Sequence, residues 1–159
     1  MKVLALVTVL AAVWFGWQWW SAATNGDLAY AQARDSVLAA GQRQVITLNT
    51  LDYRSAEEGL TQWQRVSTGD LLDELTRNHD SDLRTTQSTR TTTTAKVLGA
   101  AVSRLDLRAG TADVLVAVEV TATPEGGKPS VRRSRLDAAL TKAGDDWKVR
   151  AVQAIGVSG

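Results

Sequence analysis

Residues 111–123 read TADVLVAVEVTAT, in which valine recurs at every second position from Val114. Because successive side chains of an extended chain point to opposite faces, this period of two predicts a strand with one buried face. The buried face comprises Val114, Val116, Val118 and Val120. Leu115 and Ala117 partly fill the opposite face. The segment therefore predicts a half-buried strand with a hydrophobic core on its valine side.

Three further segments have strand character, at residues 97–107, 131–142 and 147–155. Turn signals separate them: Ala109-Gly110, the loop PEGGKP at 124–129 and AGDD at 143–146. Four strands joined by short turns predict an antiparallel meander. For each of these segments one face is expected to be buried. In 97–107 this face consists of Ala101, Ser103, Leu105 and Leu107, and in 131–142 it consists of Leu136, Ala138 and Leu140. In 147–155 it consists of Trp147, Val149, Ala151, Gln153 and Ile155.

The first half of the domain is helical by its periodicity. A helix over residues 28–51 follows capping residues at 24–27 and carries an apolar stripe. A second helix begins near Ser55, where Glu58 completes a capping-box pattern, and Gly69 fits a left-handed position past its end. Asp70 is then expected to cap a short third helix. The apolar positions are Leu38, Gly41, Val45 and Leu48 on the first helix, Ala56, Leu60, Trp63 and Val66 on the second, and Leu71, Leu72 and Leu75 on the third.

Between the helices and the strands lies a threonine-rich segment at residues 85–94. Its β-branched side chains favour extended chain, so an exposed strand or loop is predicted. An O-glycosylated stalk is the alternative, although the prolines typical of such stalks are missing. His79, the only histidine, is expected to be a solvated loop residue.

Helices followed by an antiparallel meander predict an α+β fold, with about three helices packed on a curved sheet of about four strands. The cone of nuclear-transport-factor-2-like (NTF2-like) proteins is one such fold. It often encloses a pocket between helix and sheet, and Trp63 and Trp147 are the side chains expected to line it, to plug it or to belong to a packed core.

The first twenty residues, MKVLALVTVLAAVWFGWQWW, contain one charged side chain, Lys2. As a helix, residues 3–20 rise about 27 Å, close to the hydrocarbon thickness of a bilayer. Indole rings favour the headgroup region, and a belt of them ends the segment: Trp14, Trp17, Trp19 and Trp20. Residues 1–23 are therefore predicted to be an uncleaved membrane anchor. A signal peptide cleaved after Ala23 and a buried core helix are the alternatives.

Basic groups flanking the span favour an N-terminus in the cytoplasm, because Lys2 precedes it and the next basic residue is Arg34. Residues 24–159 are then a single extracytoplasmic α+β domain, in which residues 24–51 form a membrane-proximal helix. A single-pass protein of the cell membrane is the predicted localisation.

Composition excludes several kinds of function. The chain contains 18 Lys and Arg against 17 Asp and Glu, a net charge of +1, so no broad basic face predicts nucleic-acid binding. It contains no cysteine, which excludes disulfides, thiol catalysis and thiolate metal sites. No Ser-His-Asp set, zinc-ligand spacing or phosphate-binding glycine loop is present, so we expect no catalytic residues, no metal and no cofactor.

Three motifs in order resemble the Mce-associated membrane proteins of actinobacteria: LNTLDYR at residues 48–54, STGDL at 67–71 and GDDWKV at 144–149. The resemblance covers nearly the whole chain. The motif residues are Asp52, Tyr53, Thr68, Gly69 and Trp147. One departure is the short segment before the span, which is longer in many relatives.

The resemblance implies an extracytoplasmic domain of the NTF2-like or type-IV-secretion-scaffold kind. It also implies a non-catalytic accessory subunit that stabilises or assembles an Mce-type lipid importer, with the membrane and protein subunits of the transporter as partners. From the residues themselves we expect Asp52 to accept hydrogen bonds from amides of the following turn while Tyr53 packs on the domain. The alternatives are a lipid-binding domain, a pocket enzyme using Asp52 and Tyr53, and a type-IV-secretion-like scaffold.

Overall fold

The valine face predicted from residues 111–123 is buried. The computed structural model describes residues 28–156, and in it strand β2 extends over Thr111–Pro124. Val114, Val116 and Val118 are no more than 1% exposed. They form the centre of the hydrophobic core, as the alternation predicts.

Four strands form one antiparallel sheet in the order β1-β2-β3-β4. Tight turns join them, with Gly110 and Gly144 at positive φ in the first and third. The predicted meander is confirmed, and its strands are β1 (Thr91–Asp106), β2, β3 (Ser130–Ala143) and β4 (Asp146–Ala154).

Two bulges make the predicted face of β1 wrong. Pairing with β2 skips one residue between Val97 and Gly99 and another between Val102 and Arg104. Each extra residue moves the following side chains to the other face. Ala100 and Val102 consequently pack on the core, while Ala101, Ser103 and Leu107 are exposed and only Leu105 of the predicted set packs inward.

A bulge in β4 has the same effect. Leu140 pairs with Val149 and Ala139 with Ala151, so Arg150 is the extra residue. Trp147 and Val149 are buried as predicted, but beyond the bulge it is Val152 that packs on the core. The expected inward positions of Ala151, Gln153 and Ile155 are therefore wrong.

The chain divides into two units, Met1–Asp35 and Ser36–Gly159. Residues 28–48 are helical; 28–35 belong to the first unit, and 36–48, here α1, to the second. The helix ends at residue 48, three residues before the predicted end at 51.

Helix α1 packs on the inner face of the sheet through Val37, Ala40 and Val45, which share one cluster with the β2 valines. Gly41 is the point of closest approach: a Cβ there would lie 3.1 Å from Val114 Cγ2. The predicted stripe is confirmed at Leu38, Gly41 and Val45.

A short 3₁₀ helix at Tyr53–Ser55 leads into α2, Ala56–Val66. Ala56 and Leu60 are buried, as predicted. Ser55 is the N-cap residue, but its side chain makes no capping hydrogen bond. The predicted helix start is therefore confirmed, whereas the capping-box bond does not form.

Helix α3 is much longer than predicted and extends over Gly69–Thr89. Threonine and serine hydroxyls donate to carbonyls one turn back, as from Thr85 to Ser81 at 2.8 Å and from Ser88 to Thr85 at 2.9 Å. These bonds satisfy the polar side chains within the helix, whose β-branched positions cost only tenths of a kcal/mol each. The predicted connector at 85–94 is thus wrong for 85–89 and right for the extended chain of 91–94.

Both edge strands of the sheet are tied to the helical layer by backbone hydrogen bonds. Leu51 exchanges bonds of 3.0 and 2.8 Å with Thr93 of β1, and the Thr68 amide donates to the Val149 carbonyl of β4 at 2.8 Å. Helix α2 joins these attachments. Its 11 residues measure about 16 Å, close to the roughly 14 Å between the axes of the two edge strands. The helix therefore crosses the sheet from one edge to the other.

The predicted anchor at 1–23, its tryptophan belt and the capping residues 24–27 lie outside the described residues. Of the helices that the structure describes, none combines the length and apolarity needed to cross a bilayer.

We predict that Gly41→Ala destabilises the domain although alanine favours helix. Overpacking against the branched Val114 costs about 1–3 kcal/mol, against about 1 kcal/mol gained in helix propensity. The net loss, up to about 2 kcal/mol, is measured by urea unfolding. In a Val114→Ala background the same change should be neutral or stabilising, and an equal loss in both backgrounds would contradict the close-approach explanation.

Candidate functional site

The five motif residues lie in two clusters, at opposite edges of the sheet. Asp52 and Tyr53 follow the attachment of Leu51 to β1, whereas Thr68, Gly69 and Trp147 surround the attachment to β4. The sequence did not show this separation, because it depends on the path of α2 across the sheet.

Asp52 stabilises the turn at the start of the 3₁₀ helix. Its Oδ1 accepts from the Arg54 amide at 3.0 Å and from the Thr92 hydroxyl at 3.1 Å. The amide bond, followed by the Thr92 bond and the Arg54 charge, lowers the pKa of Asp52 below its ordinary value. The bond to the following turn is the one predicted for this residue.

Tyr53 connects the same turn to the loop between β2 and β3. Its hydroxyl donates to Glu125 Oε1 at 2.6 Å, and Arg54 lies over its ring at 4.6 Å from the centroid. Arg90 Nη1 donates to the other Glu125 oxygen at 3.0 Å, and the Glu125 amide donates to the Arg90 carbonyl at 2.8 Å. Arg90 adopts φ of 45° at the end of α3. Three segments distant in sequence thus meet at Glu125.

These contacts shift two further pKa values in opposite directions. The hydrogen bond from Tyr53, together with that from Arg90, lowers the pKa of Glu125. The bond to the carboxylate raises the pKa of Tyr53. Since the folded-state pKa of Glu125 is lowered, its contacts are complete above the ordinary glutamate pKa and are lost as pH falls through the lowered value.

An open cleft of about 400 Å³ lies over this cluster. Its walls are the turn at 52–54, Thr92 and residues 123–127. The charged groups bond to one another, and their side chains are exposed, with 42% of Asp52 and 43% of Glu125 accessible. A general acid or base needs a pKa near the working pH. Here the carboxylate pKa values are lowered and the tyrosine pKa is raised, which moves all three away from neutrality.

The second cluster is built mainly from backbone. Ser67 is 1% exposed, and its hydroxyl donates to the Trp63 carbonyl at 2.7 Å, which closes the end of α2. Gly69 takes φ of +57°, as predicted for a left-handed position, but it begins α3. Thr68 makes no capping bond with its side chain. Its contribution is the amide that bonds to Val149.

Trp147 and Trp63 have different environments. Trp147 is 6% exposed and belongs to the core, while its carbonyl accepts a hydrogen bond from the Gln44 side chain of α1. Trp63 is half-buried and donates from Nε1 to the Thr50 carbonyl at 3.2 Å. Trp147 is thus a core residue, and Trp63 joins α2 to the end of α1.

Sequence reasoning missed Glu125, Arg90 and Thr92, which complete the first cluster. It also misplaced His79, which lies on α3 with Nε2 at 3.1 Å from Glu57 Oε1. The only local signal for Glu125 was the set of turn residues at 124–129. These residues predict a loop, but they do not predict that Glu125 contacts Tyr53 and Arg90. Among the described residues, no three His, Asp or Glu side chains converge as metal ligands.

Several solved structures that share this fold are proteins of type IV secretion systems. An IcmL-like type IV secretion system protein from Legionella pneumophila matches with a TM-score of 0.64 at 13% identity, covering 79% of this chain and 94% of that one. The periplasmic domain of DotI matches at 0.64 and 10% identity, over 77% and 95%. CagV, a VirB8 homolog from Helicobacter pylori, matches at 0.58 and 12%, over 78% and 99%. At these identities the likeness defines a VirB8-like α+β fold.

A sequence model of the family described as "Uncharacterized protein Rv1363c/MT1408-like" matches residues 1–156. The chain belongs to this family. No protein of curated function matches the sequence. The family description does not contain the predicted Mce association.

We predict that Glu125→Gln lowers the ionisation pH of Tyr53, because a neutral amide replaces the hydrogen-bonded carboxylate that raises the pKa of Tyr53. The chain has two tyrosines, so Tyr30→Phe leaves Tyr53 as the only one to titrate by ultraviolet absorbance. Glu74→Gln, on the exposed surface of α3, is the matched control. An unchanged midpoint in Glu125→Gln would show that the carboxylate does not raise the pKa of Tyr53 in solution.

Replacing Thr68 should separate backbone from side-chain effects. Thr68→Pro removes the amide that bonds Val149 and cannot adopt the observed φ of −152°, so a loss of at least about 2 kcal/mol is expected by urea unfolding. Thr68→Val keeps the amide and should change stability little. Equal losses in the two variants would instead assign the role to the hydroxyl.

Proposed function

We propose that this protein is a non-catalytic, membrane-anchored scaffold whose extracytoplasmic domain binds protein subunits of an envelope complex. The observation that carries the proposal is the extent of the fold match. The three solved domains above are covered over 94% or more of their length, so the likeness includes the whole domain. These are a type IV secretion system protein, a periplasmic domain and a VirB8 homolog.

The geometry of the Asp52–Tyr53–Glu125 cluster favours a structural and contact role over catalysis. Each charged group already has an intramolecular partner, and the pKa shifts oppose proton transfer near neutral pH. The cleft is open to solvent, whereas catalytic electrostatics gain strength where water is excluded. Exposed polar groups held in a defined arrangement are suited to recognising another protein.

The helix–sheet interface favours the scaffold over a lipid-binding domain. The space between α1 and the sheet contains a packed set of fully buried side chains, which includes Val37, Val45, Val114 and Leu140. A lipid pocket of the NTF2 kind would occupy this same space. Within the described residues, bulky valines and Trp147 fill the position that such a ligand would need.

For the partner complex, we carry forward the Mce-type lipid importer suggested by the motifs at residues 48–54, 67–71 and 144–149. The proposed topology has residues 1–23 in the cell membrane, the N-terminus in the cytoplasm and residues 24–159 outside. The fold match supports an assembly role in any envelope complex, and the motif resemblance supports the importer among them.

Isolation of crosslinked complexes from native membranes tests this function. A C-terminally tagged full chain is crosslinked, extracted and analysed by mass spectrometry, and we expect a defined set of envelope subunits to be enriched. Glu125→Lys, which reverses the charge in the cleft, should reduce that enrichment at least about tenfold. Glu74→Lys on exposed α3 is the matched control and should leave it unchanged.

Two outcomes would contradict the proposal. One is recovery of the tagged chain without any subunit enriched above an untagged strain. The other is a turnover activity of the purified protein that is lost in Asp52→Asn. Enrichment of importer subunits would support the Mce partner, whereas enrichment of other envelope subunits would keep the scaffold role and replace the partner.

A further inference from the structure

The face of the sheet opposite α1 is not covered by any described helix. The strand positions that point away from the core lie on it, and several are large and apolar. Leu98 is 48% exposed, Leu115 39% and Ile155 43%. Leu115 and Ile155, together with Gly99, Ala101 and Ala117, line an apolar depression of about 320 Å³. Such a patch near the middle of an open sheet face is a candidate interface.

Two neighbouring cross-strand rows give this patch a complementary pattern. The first row pairs Ala101 of β1 with Leu115 of β2 and Leu115 with Asp137 of β3. The next row on the same face pairs Gly99 with Ala117 and Ala117 with Arg135. One row thus carries the larger apolar residue and a negative charge, and the other carries smaller residues and a positive charge.

The charges around the patch differ in their intramolecular pairing. Toward the two ends of the sheet, Arg104 bonds Asp113 at 3.4 Å and Arg133 bonds Glu119 at 2.8 Å. Among the described residues, Arg135 and Asp137 form no ion pair, and Asp137 Oδ1 is covered and receives no hydrogen bond. Because Oδ1 is covered within the domain, a guanidinium brought against this face would pair with the carboxylate through its other oxygen, Oδ2.

We propose that the occupant of this face is a second copy of the chain, related by a two-fold axis that passes between the two rows. The axis lies in the plane between the two sheets, is perpendicular to the strands and passes at the level of Leu136. Rotation about this axis places each row over the other row of the second copy. Leu115 then faces Ala117 of the second copy, and Arg135 faces its Asp137. The large-to-small and positive-to-negative matches both follow from this one operation. Aligned face-to-face packing is common for sheets.

The size of the face predicts a weak dimer. Four strands over about seven residues measure roughly 20 by 25 Å, or about 500 Å² per copy. Stable interfaces cover about 800 Å² per partner, so association should require high protein concentration. In a membrane, anchored copies are already concentrated and confined to one surface, which favours such an interaction. This inference does not depend on the proposed envelope partners.

Charge reversal at Arg135 directly tests the proposed two-fold symmetric contact with Asp137 of the second copy. Sedimentation velocity of the full chain in detergent should show a reversible dimer. The Kd of this dimer should be at least about tenfold higher for Arg135→Asp, because two carboxylates then face each other. The double variant Arg135→Asp/Asp137→Arg restores opposite charges under the same symmetry and should restore the dimer. Arg132→Asp, on the same strand but the opposite face, is the matched control and should dimerise like the wild type.

Single cysteines test the same geometry without relying on charge. The chain contains no cysteine, so Leu115→Cys introduces a unique thiol close to the proposed axis. A short bis-maleimide should crosslink it to dimers in native membranes, whereas Asn78→Cys on exposed α3 should remain uncrosslinked. Thermal unfolding of each variant verifies that it is folded.

A chain that stays monomeric at about 100 µM and gives no Leu115→Cys dimer in membranes would overturn the inference. So would a dimer that Arg135→Asp leaves unchanged, since that dimer must form through another part of the chain. A Leu115→Cys crosslink to a different protein would assign the face to that protein and equally reject the second copy.

Discussion

The close approach of Gly41 to Val114 is the contact on which the arrangement of α1 and the sheet depends. Glycine lets the helix backbone lie where a Cβ would come within 3.1 Å of a branched side chain. The fully buried residues of both elements, including Val37, Val45 and Val116, gather around this point. Burying each such side chain contributes about 1.5–3 kcal/mol, so the short helix–sheet distance carries much of the stability of the domain.

A second constraint determines the position of the candidate site. Helix α2 is fastened at one end through Leu51 to β1 and at the other through Thr68 to β4, both by backbone hydrogen bonds. The motif residues lie at these two attachments. The presence of these residues therefore has a physical explanation that needs no ligand: Asp52 shapes the turn after one attachment, and Thr68 and Gly69 shape the other.

The site itself combines local and distant contributions. Asp52 and its bond to the following amide could be predicted from residue type and position, since a short carboxylate at a turn readily accepts such a bond. Glu125 could not be predicted, because it is 72 residues from Tyr53 in sequence and their contact requires the β2–β3 loop to return beside the end of α3. The exposed face around Leu115 is similar: alternation predicted its side chains, but only the register brings Arg135 and Asp137 beside them.

The sequence by itself determined the α+β class, the four strands and their order, and the buried faces of β2 and β3, because a period of two and strong turn residues act locally. Tertiary structure alone decided the bulges near Leu98, Ser103 and Arg150, which reverse side-chain direction without changing composition. It also decided the helical state of residues 85–89 and the partner of His79. In each case weak local preferences of at most about 1 kcal/mol give way to packing and hydrogen bonds formed with distant parts of the chain or along a longer helix.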